Sequence, residues 1–289
     1  MTAVLITGAG GFIARHAAQT LADAGMTVLG AARRGDALSG YAQLFPASLG
    51  ETLLPALASR PVAAIVHTAL ATGPDAYRLN VEGTGRWLEE GRAAGVGLQI
   101  LLSTLSAEAD ALSDYGRAKW ALEQRFAAAD EVAFRLGVVV GDGGMYARMR
   151  RSATRLPVTP LLDGGRQLLY VVGIDALCAV LRAAILSDGA GLRGQAWNLV
   201  QPQPVTLREL IEAIQRQEGR RSLLLPVPTA PVLAGLWLLE SVPMIRLPIG
   251  SSNVRGLRQQ GQRRIATDWE RFGQPAQPLE ALIAAAARG

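Results

Sequence analysis

The sequence predicts an α/β protein: a doubly wound parallel sheet joined to a smaller, mostly helical C-terminal cap. Three observations carry this. Short apolar β-type runs alternate with helical patterns through the first half of the chain, the order that gives a parallel sheet with helices on both faces. A glycine-rich turn, "TGAGGFIARH", stands between the first apolar run and the first helical pattern. Hydrophobic residues make up 49% of the 289 residues but aromatics only 5%, so small aliphatic side chains do the packing and helices can lie close on a sheet.

"AVLITGA" reads as a buried strand and "FIARHAAQTLADAG" as a helix that Gly25 ends. "MTVLGAA" is a second strand, "AAIVHTA" another, and "AYRLNVEGTGRWLEEGRAAG" a long helix. "LQILLST", "SDYGRAKWALEQRFAAA" and "VAFRLGVVV" follow as strand, helix and strand. After Val140 the composition changes. "GDGGMYARMRRSATRLPVTPLLDGGRQ" is rich in glycine, proline and arginine and reads as an irregular excursion with one short helix. "LLYVVGIDALCAVLRAAILSD" returns to strand and helix, "GQAWNLV" is a late strand, and from Val205 helices alternate with proline-rich joints. The sheet domain is expected over residues 1–141 plus about 168–200, and the cap over about 142–167 plus 201–289.

Charge and composition exclude several classes. The net charge is +5, but the arginines are scattered without aromatic interleaving, which argues against a nucleic-acid groove. The one cysteine, Cys178, sits in the apolar run "DALCAVLRAAI" and reads as a core residue; no disulfide can form within the chain. Two histidines and one cysteine make no zinc site. The N-terminus enters a strand by Ala3 without a basic leader, so no signal peptide is expected. The apolar stretch "APVLAGLWLLESVPMI" is interrupted by Glu240 and Pro243 and is too short for a membrane span. A cytoplasmic protein acting on a small molecule, with no membrane or nucleic-acid partner, is the expectation.

The glycine turn carries the first functional signal. Gly8, Gly11 and Ala14 fall at the spacing G-x-x-G-x-x-A, with Gly10 between the two glycines. Glycine there lets backbone approach a pyrophosphate, and the helix that begins at Phe12 and Ile13 turns its free N–H groups and positive dipole end toward it. The context, first strand then turn then helix, is that of a Rossmann dinucleotide site. The second strand ends "VLGAARRGD". Arg33 and Arg34 stand where an acid would bind the ribose 2′-hydroxyl of NAD, with Asp36 late; a guanidinium fork suits a 2′-phosphate, which favours NADP over NAD.

The second signal is a lysine. Among 29 basic residues Lys119 is the single lysine, the other 28 being arginine. It lies four residues after Tyr115 on a predicted helix, so the two share one face. A phenol with a pKa of about 10 is a poor base at neutral pH. At about 4 Å and an effective dielectric of about 20 a cation attracts the phenolate by about 4 kcal/mol, about three pKa units, enough for acid–base catalysis. A lysine ammonium, compact and with three rotatable donors, can face the tyrosine and two ribose hydroxyls together; arginine cannot.

These segments resemble the short-chain dehydrogenase/reductase superfamily, in its extended or atypical, epimerase/dehydratase-like branch. "TGAGGFIARH" is similar to the T-G-x-x-G-F-I-G start of that family, with Ala14 in place of the last glycine, and "AIVHTA", with Thr68 and Ala69, to its fourth-strand H-x-A segment. "NVEGTGRWLEEGRAAGV" resembles the N-V-x-G-T helix, Asn80 matching its asparagine, and "LLSTLSAEADALSDYGRAK" the S-S/T…Y-x-x-x-K pattern. "FRLGVVVG", "VVGIDALCAVL" and "WNLVQPQPVTLRELIEAI" resemble later segments of the branch. The resemblance implies Tyr115 as acid/base, Lys119 as ribose holder and pKa tuner, and Thr104 as the hydroxyl partner, with Ser103 the weaker candidate. It implies cofactor contacts from Gly8, Gly10, Gly11, Phe12, Ile13, Arg33, Arg34, Thr68, Ala69 and Asn80 besides Tyr115 and Lys119. Asn80 serves there in ordering the helix or a water relay, and the plain alternative is a buried asparagine bridging backbone groups. His67 reads as a packed or cofactor-lining residue. A homodimer through the helices carrying Asn80 and Tyr115 is also implied, with Trp87 and Trp120 either at that interface or in the core.

Departures from the family pattern narrow the reaction. Leu105 and Ser106 replace the Asp-Glu pair that sugar-nucleotide dehydratases carry after the hydroxyl residue. Arg135 is followed by Leu136 and Gly137, without the asparagine of the epimerase R-x-x-N segment, and "LATGPDAYRL" leaves a short substrate loop. What remains is hydride transfer between a nicotinamide and a carbonyl or alcohol. A nucleotide-sugar epimerase working by transient oxidation is the second reading, and a non-catalytic NADP(H)-binding sensor or accessory protein the third. Arg148, Arg150, Arg151, Arg155 and Arg166 read as a solvated loop or as a clamp for an anionic substrate.

Overall fold

The computed structural model describes residues 3–34, 38–229 and 264–288. Asp36 and the apolar stretch at 230–245 lie outside the described residues. The chain divides into two compact units. The first comprises Met1–Ala109, Tyr115–Leu136 and Ile174–Leu199; the second comprises Asp110–Asp114, Gly137–Gly173 and Val200–Gly289.

The first unit is built on a seven-stranded parallel sheet. Its strands are β1 (Ala3–Thr7), β2 (Thr27–Ala32), β3 (Gln43–Pro46), β4 (Val62–His67), β5 (Leu98–Thr104), β6 (Val132–Leu136) and β11 (Gln195–Asn198). They lie in the order β11-β6-β5-β4-β1-β2-β3. The chain runs outward from β1 to β3, then crosses back to place β4 beside β1, so the order reverses between those two strands. Open α/β sheets bind ligands at such a reversal, beyond the carboxyl ends of the strands. Register makes that edge definite: Thr7 pairs with Ala31 and His67, His67 with Leu101, and Thr104 with Leu136. Strand β5 therefore projects three residues past His67. Every residue of β1 and β5 is buried, as expected where both faces are covered, so these strands read as unbroken apolar runs rather than alternating ones.

Helix α1 (Phe12–Asp23) buries Ala14, Ala17, Ala18 and Leu21, an i, i+3, i+4, i+7 stripe, and packs beside α7 (Ile174–Leu186). Cys178 of α7 is buried, which raises its thiol pKa to about 12 against a hydrogen bond with Thr20, and suits a packing role. The long helix expected from Ala76 is not uniform. It runs as α3 (Ala76–Arg78), a single π turn over Leu79–Gly83, and α4 (Thr84–Ala93). Asn80 Nδ2 donates to the Ala76 carbonyl at 2.7 Å, taking the acceptor that a regular helix gives to its own backbone. Trp87 on α4 is 1% exposed and donates Nε1–H to the Glu51 carbonyl at 2.7 Å, so of its two expected places it takes the core.

The expected strand "VAFRLGVVV" is two strands. Strand β6 ends at Leu136 and β7 (Val138–Val140) follows, pairing in parallel with β10 (Val171–Gly173) of the second unit. Gly137 makes the break. A Cβ there would stand 2.0 Å from the Tyr170 carbonyl oxygen, the acceptor of the Val138 N–H at 2.8 Å, so only glycine admits this approach.

In the second unit, the excursion after Val140 folds into α6 (Gly144–Arg155) and β8 (Val158–Leu162), which pairs with β13 (Leu223–Val227). Helix α8 (Leu207–Gln217) begins with a reciprocal capping box between Thr206 and Glu209. It packs against α6 and the C-terminal helix Leu279–Ala286, around Tyr146, Leu161, Leu210, Ile214 and Leu282. The strands β3, β8 and β13 and a short helix over Leu54–Ser59 carry no clear signal in the sequence. Among the described residues no helix is long and apolar enough to cross a membrane, and no group of histidine, cysteine or acidic side chains could hold a metal ion.

Candidate active site

The glycine turn closes directly on β1. Gly8 has φ +68°, and a Cβ on it would lie 2.8 Å from Ala69 Cα and 2.9 Å from Ala69 N. Glycine is required twice over, by the left-handed backbone and by the close segment after β4. Thr7 ties the two together: Thr68 Oγ1 donates to the Thr7 carbonyl at 2.6 Å, and the N–H groups of Thr68 and Ala69 donate to Thr7 Oγ1 at 3.2 and 3.3 Å. The Gly11 N–H donates to the Gly8 carbonyl at 2.8 Å, and α1 then starts with no side-chain cap. Its first N–H groups are left for a ligand, and space is open beside the exposed Gly10, where nothing approaches within 4 Å of a Cβ position. This uncapped helix start next to an open glycine fits a dinucleotide pyrophosphate.

Two flanking groups complete the turn. Arg33 and Arg34 are exposed immediately beyond the end of β2 at Ala32. Tyr41 reaches back from the loop before β3, its hydroxyl 3.1 Å from the Ala9 carbonyl and 3.0 Å from the Ala14 carbonyl. It bridges the turn and the first coil of α1. Burial raises its pKa well above the ordinary value, so it stays a neutral donor.

The second cluster lies at the carboxyl end of β5 and on α5 (Asp114–Ala128). Thr104 closes the strand, 9% exposed, and its Oγ1 lies 3.1 Å from Ser106 Oγ. Tyr115, in the first turn of α5, hydrogen-bonds with the Thr104 side chain and is 39% exposed. Lys119, one turn on, is 6% exposed and donates from Nζ to the Leu102 carbonyl at 2.6 Å. The expected fall in the Tyr115 pKa is not found. Desolvation raises it, and only the Thr104 hydrogen bond acts to lower it. Lys119 is itself lowered to about 8 by burial, with Glu123 opposing, and one of its three donors goes to a carbonyl of β5.

Ser103, expected as an alternative to Thr104, faces elsewhere. Its hydroxyl donates to Glu123 Oε1 at 2.5 Å, and Arg135 Nη2 and Nε donate to Glu123 Oε2 at 2.6 and 3.0 Å. The Arg135 guanidinium also lies 5.8 Å from the ring centroid of the half-buried Trp120. Neither the buried Glu123 nor the half-buried Arg135 is a candidate from the sequence, although Tyr115, Lys119 and Glu123 stand at i, i+4 and i+8, which places them on one helix face.

Asn80 bridges backbone groups. Its Oδ1 accepts from the Ala71 N–H at 2.9 Å, and Nδ2 donates to the carbonyls of Ala71 at 3.0 Å and Ala76 at 2.7 Å. It thereby pins the loop that follows Thr68 and Ala69. His67 is 2% exposed. Gln99 Nε2 donates to the Leu88 carbonyl, which leaves Gln99 Oε1 to accept from His67 Nε2 at 2.9 Å and fixes the tautomer. Burial first, with Lys119 assisting, lowers the His67 pKa to about 4, so it is neutral. Phe12 packs edge-on to His16, and Ile13 is half-buried in the first turn of α1. Arg148, Arg151, Arg155 and Arg166 are exposed in the second unit, while Arg150 pairs with Glu218 at 3.4 Å.

The first unit thus brings together the glycine turn, Thr68 and Ala69, and separately joins Thr104 to Tyr115 with Lys119 one turn away. Solved structures share this fold. The crystal structure of gox2253 superposes with a TM-score of 0.75 at 19% identity, covering 100% of this chain and 97% of that one. UDP-glucose 4-epimerase from Thermotoga maritima, crystallised with UDP-glucose, gives a TM-score of 0.67 at 18% identity, covering 78% of this chain and 86% of that one. MoeE5 in complex with UDP-glucose and NAD gives 0.65 at 22% identity, covering 93% and 99%. No curated protein sequence matches. Residues 4–198, from the first strand through β11, match the NAD dependent epimerase/dehydratase family, and the chain belongs to that family.

Proposed function

We propose that the protein is a nicotinamide-dependent oxidoreductase that interconverts a carbonyl and an alcohol, with Tyr115 as acid/base. The observation that carries this reading is the hydrogen bond between Tyr115 and Thr104 beside the buried Lys119, at the carboxyl edge of the same sheet whose first turn is the open glycine cradle. When bound, the nicotinamide supplies or accepts the hydride. Thr104 orients the substrate oxygen and stabilises charge on it, and Tyr115 gives that oxygen its proton in reduction or removes it in oxidation. Lys119 holds ribose hydroxyls, and Thr7 keeps Thr68 and Ala69 against the glycine turn. The uncapped start of α1 takes the pyrophosphate. Arg33 and Arg34, exposed just beyond the end of β2, favour a 2′-phosphate and hence NADP.

A second reading, epimerisation of a nucleotide sugar through a transient ketone, is favoured by neighbours whose structures hold UDP-glucose. The same Tyr115 and Thr104 would serve both reactions. Mixing the protein with NADPH, or with NADH, and following nicotinamide absorbance over a carbonyl panel tests the first reading. Net oxidation of NADPH supports it. Conversion of nucleotide sugars without net change in absorbance supports epimerisation, and tight dinucleotide binding with neither reaction contradicts both.

A further inference from the structure

Glu123 is a buried acid that the reaction as written does not use. It is 2% exposed on α5, one turn beyond Lys119, and it meets two strands at once. Ser103, next to Thr104 on β5, donates to Oε1; Arg135, on β6, donates through Nε and Nη2 to both carboxylate oxygens. A carboxylate that saturates its lone pairs this way is fixed in direction, and so is each donor. The three residues come from consecutive elements of the sheet edge that also carries Thr104, Tyr115 and Lys119. We propose that Glu123, through Ser103 and Arg135, is the positioning residue of the reaction: it locks the end of β5, which carries Thr104, to α5, which carries Tyr115 and Lys119.

This rests on the hydride-transfer reading of the same site. The titratable and charged groups that face Lys119 are His67 on β4, Glu123 and Tyr115 on its own helix, and Arg135 on β6 behind Glu123. His67 is neutral and Arg135 is a cation, so Glu123 supplies the anionic support. Burial works against the ammonium and Glu123 works for it, with Lys119 at about 8 as the balance. Remove the carboxylate and Lys119 loses its proton at lower pH, while Arg135 loses one ion-pair partner.

The test is the pH profile of kcat and of kcat/KM in the full-length enzyme. Glu123→Gln should move the alkaline limb of activity down by about one pH unit, so that the rate at pH 8 falls on the order of ten-fold further than at pH 6. Glu123→Asp, which keeps a carboxylate, should restore the limb in part. Because Glu123→Gln also takes an ion-pair partner from the half-buried Arg135, a double variant, Glu123→Leu with Arg135→Met, replaces the whole pair by apolar side chains. It too should show the displaced limb. A profile that keeps its shape and is only scaled down at every pH, in either variant, overturns the inference. Absence of turnover in the wild type instead overturns the reading on which it rests.

Discussion

Ser103 and Thr104 are adjacent on β5, yet their hydroxyls go to different partners. Ser103 donates inward to Glu123 at 2.5 Å, while Thr104 meets Ser106 at 3.1 Å and hydrogen-bonds with Tyr115. Alternation along a strand produces this, since successive side chains leave on opposite faces. The two substitutions should therefore separate. Thr104→Val, nearly isosteric, should leave the unfolding midpoint close to the wild type and lower kcat by about 100- to 1000-fold, the usual loss for one donor at a developing oxyanion. Ser103→Ala leaves a buried carboxylate short of a donor and should lower stability by about 1–3 kcal/mol, with the smaller effect on kcat. Equal losses of rate from both would contradict the assignment.

Asn80 ties the loop after β4 to the π turn by three hydrogen bonds from one side chain. Asn80→Asp keeps the acceptor for the Ala71 N–H and loses both donors. Hydrogen exchange at residues 69–78 should speed up in that variant, and dinucleotide affinity should fall several-fold, because Thr68 and Ala69 line the glycine turn. Unchanged exchange there would assign the π turn to other causes.

Tyr41 bridges the carbonyls of Ala9 and Ala14 from outside the motif. Tyr41→Phe removes the bridge and little else, at a cost of about 1 kcal/mol in stability. Dinucleotide Kd should rise while kcat at saturating cofactor stays near the wild type. A fall in kcat with Kd unchanged would contradict a role confined to the loop.

Two buried groups pull stability in opposite directions with pH. His67 is lowered to about 4 from 6.5 by burial, so its contribution is whole above pH 6.5 and is lost as pH falls through 4. Glu131, 4% exposed, is raised to about 7 from 4.5 by desolvation, against Arg193 at 3.7 Å and Arg92. Its contribution is whole below pH 4.5 and is lost as pH rises through 7. Between pH 4.5 and 6.5 the two slopes oppose each other. Glu131→Gln, which keeps an acceptor for the Gln99 N–H, should unmask the His67 slope: unfolding free energy should climb with pH across that window by on the order of 2 kcal/mol. A variant with the wild-type profile would contradict the buried state of one of the pair.

The core of the fold and the glycine turn are legible in the sequence because they depend on near-neighbour pattern. Buried strands of a parallel sheet must be continuous apolar runs, and a dinucleotide turn must have glycine where backbone comes close. Tyr115 and Lys119 are legible for the same reason, four residues apart on one helix. What the sequence hides is set by distant partners. Glu123 looks like any helical acid until Ser103 and Arg135, 20 and 12 residues away, are seen on it. Likewise the Tyr115 pKa expected from its nearest cation is governed by desolvation, and Lys119 directs a hydrogen bond to the Leu102 carbonyl. Tyr41 lies 32 residues from Ala9 and carries no local signal at all. The strands β8 and β13 pair across the chain through proline-bearing segments, which read as loops when taken alone.

The central claim is that the Tyr115 hydroxyl moves the proton. Single-turnover mixing of wild type and Tyr115→Phe with NADPH and a carbonyl substrate, with dinucleotide binding followed separately by fluorescence, tests it most directly. The account predicts that Tyr115→Phe binds NADPH as the wild type does and transfers hydride at least 1000-fold more slowly, a loss at the scale of a positioned acid. Hydride transfer by Tyr115→Phe at the wild-type rate would contradict it.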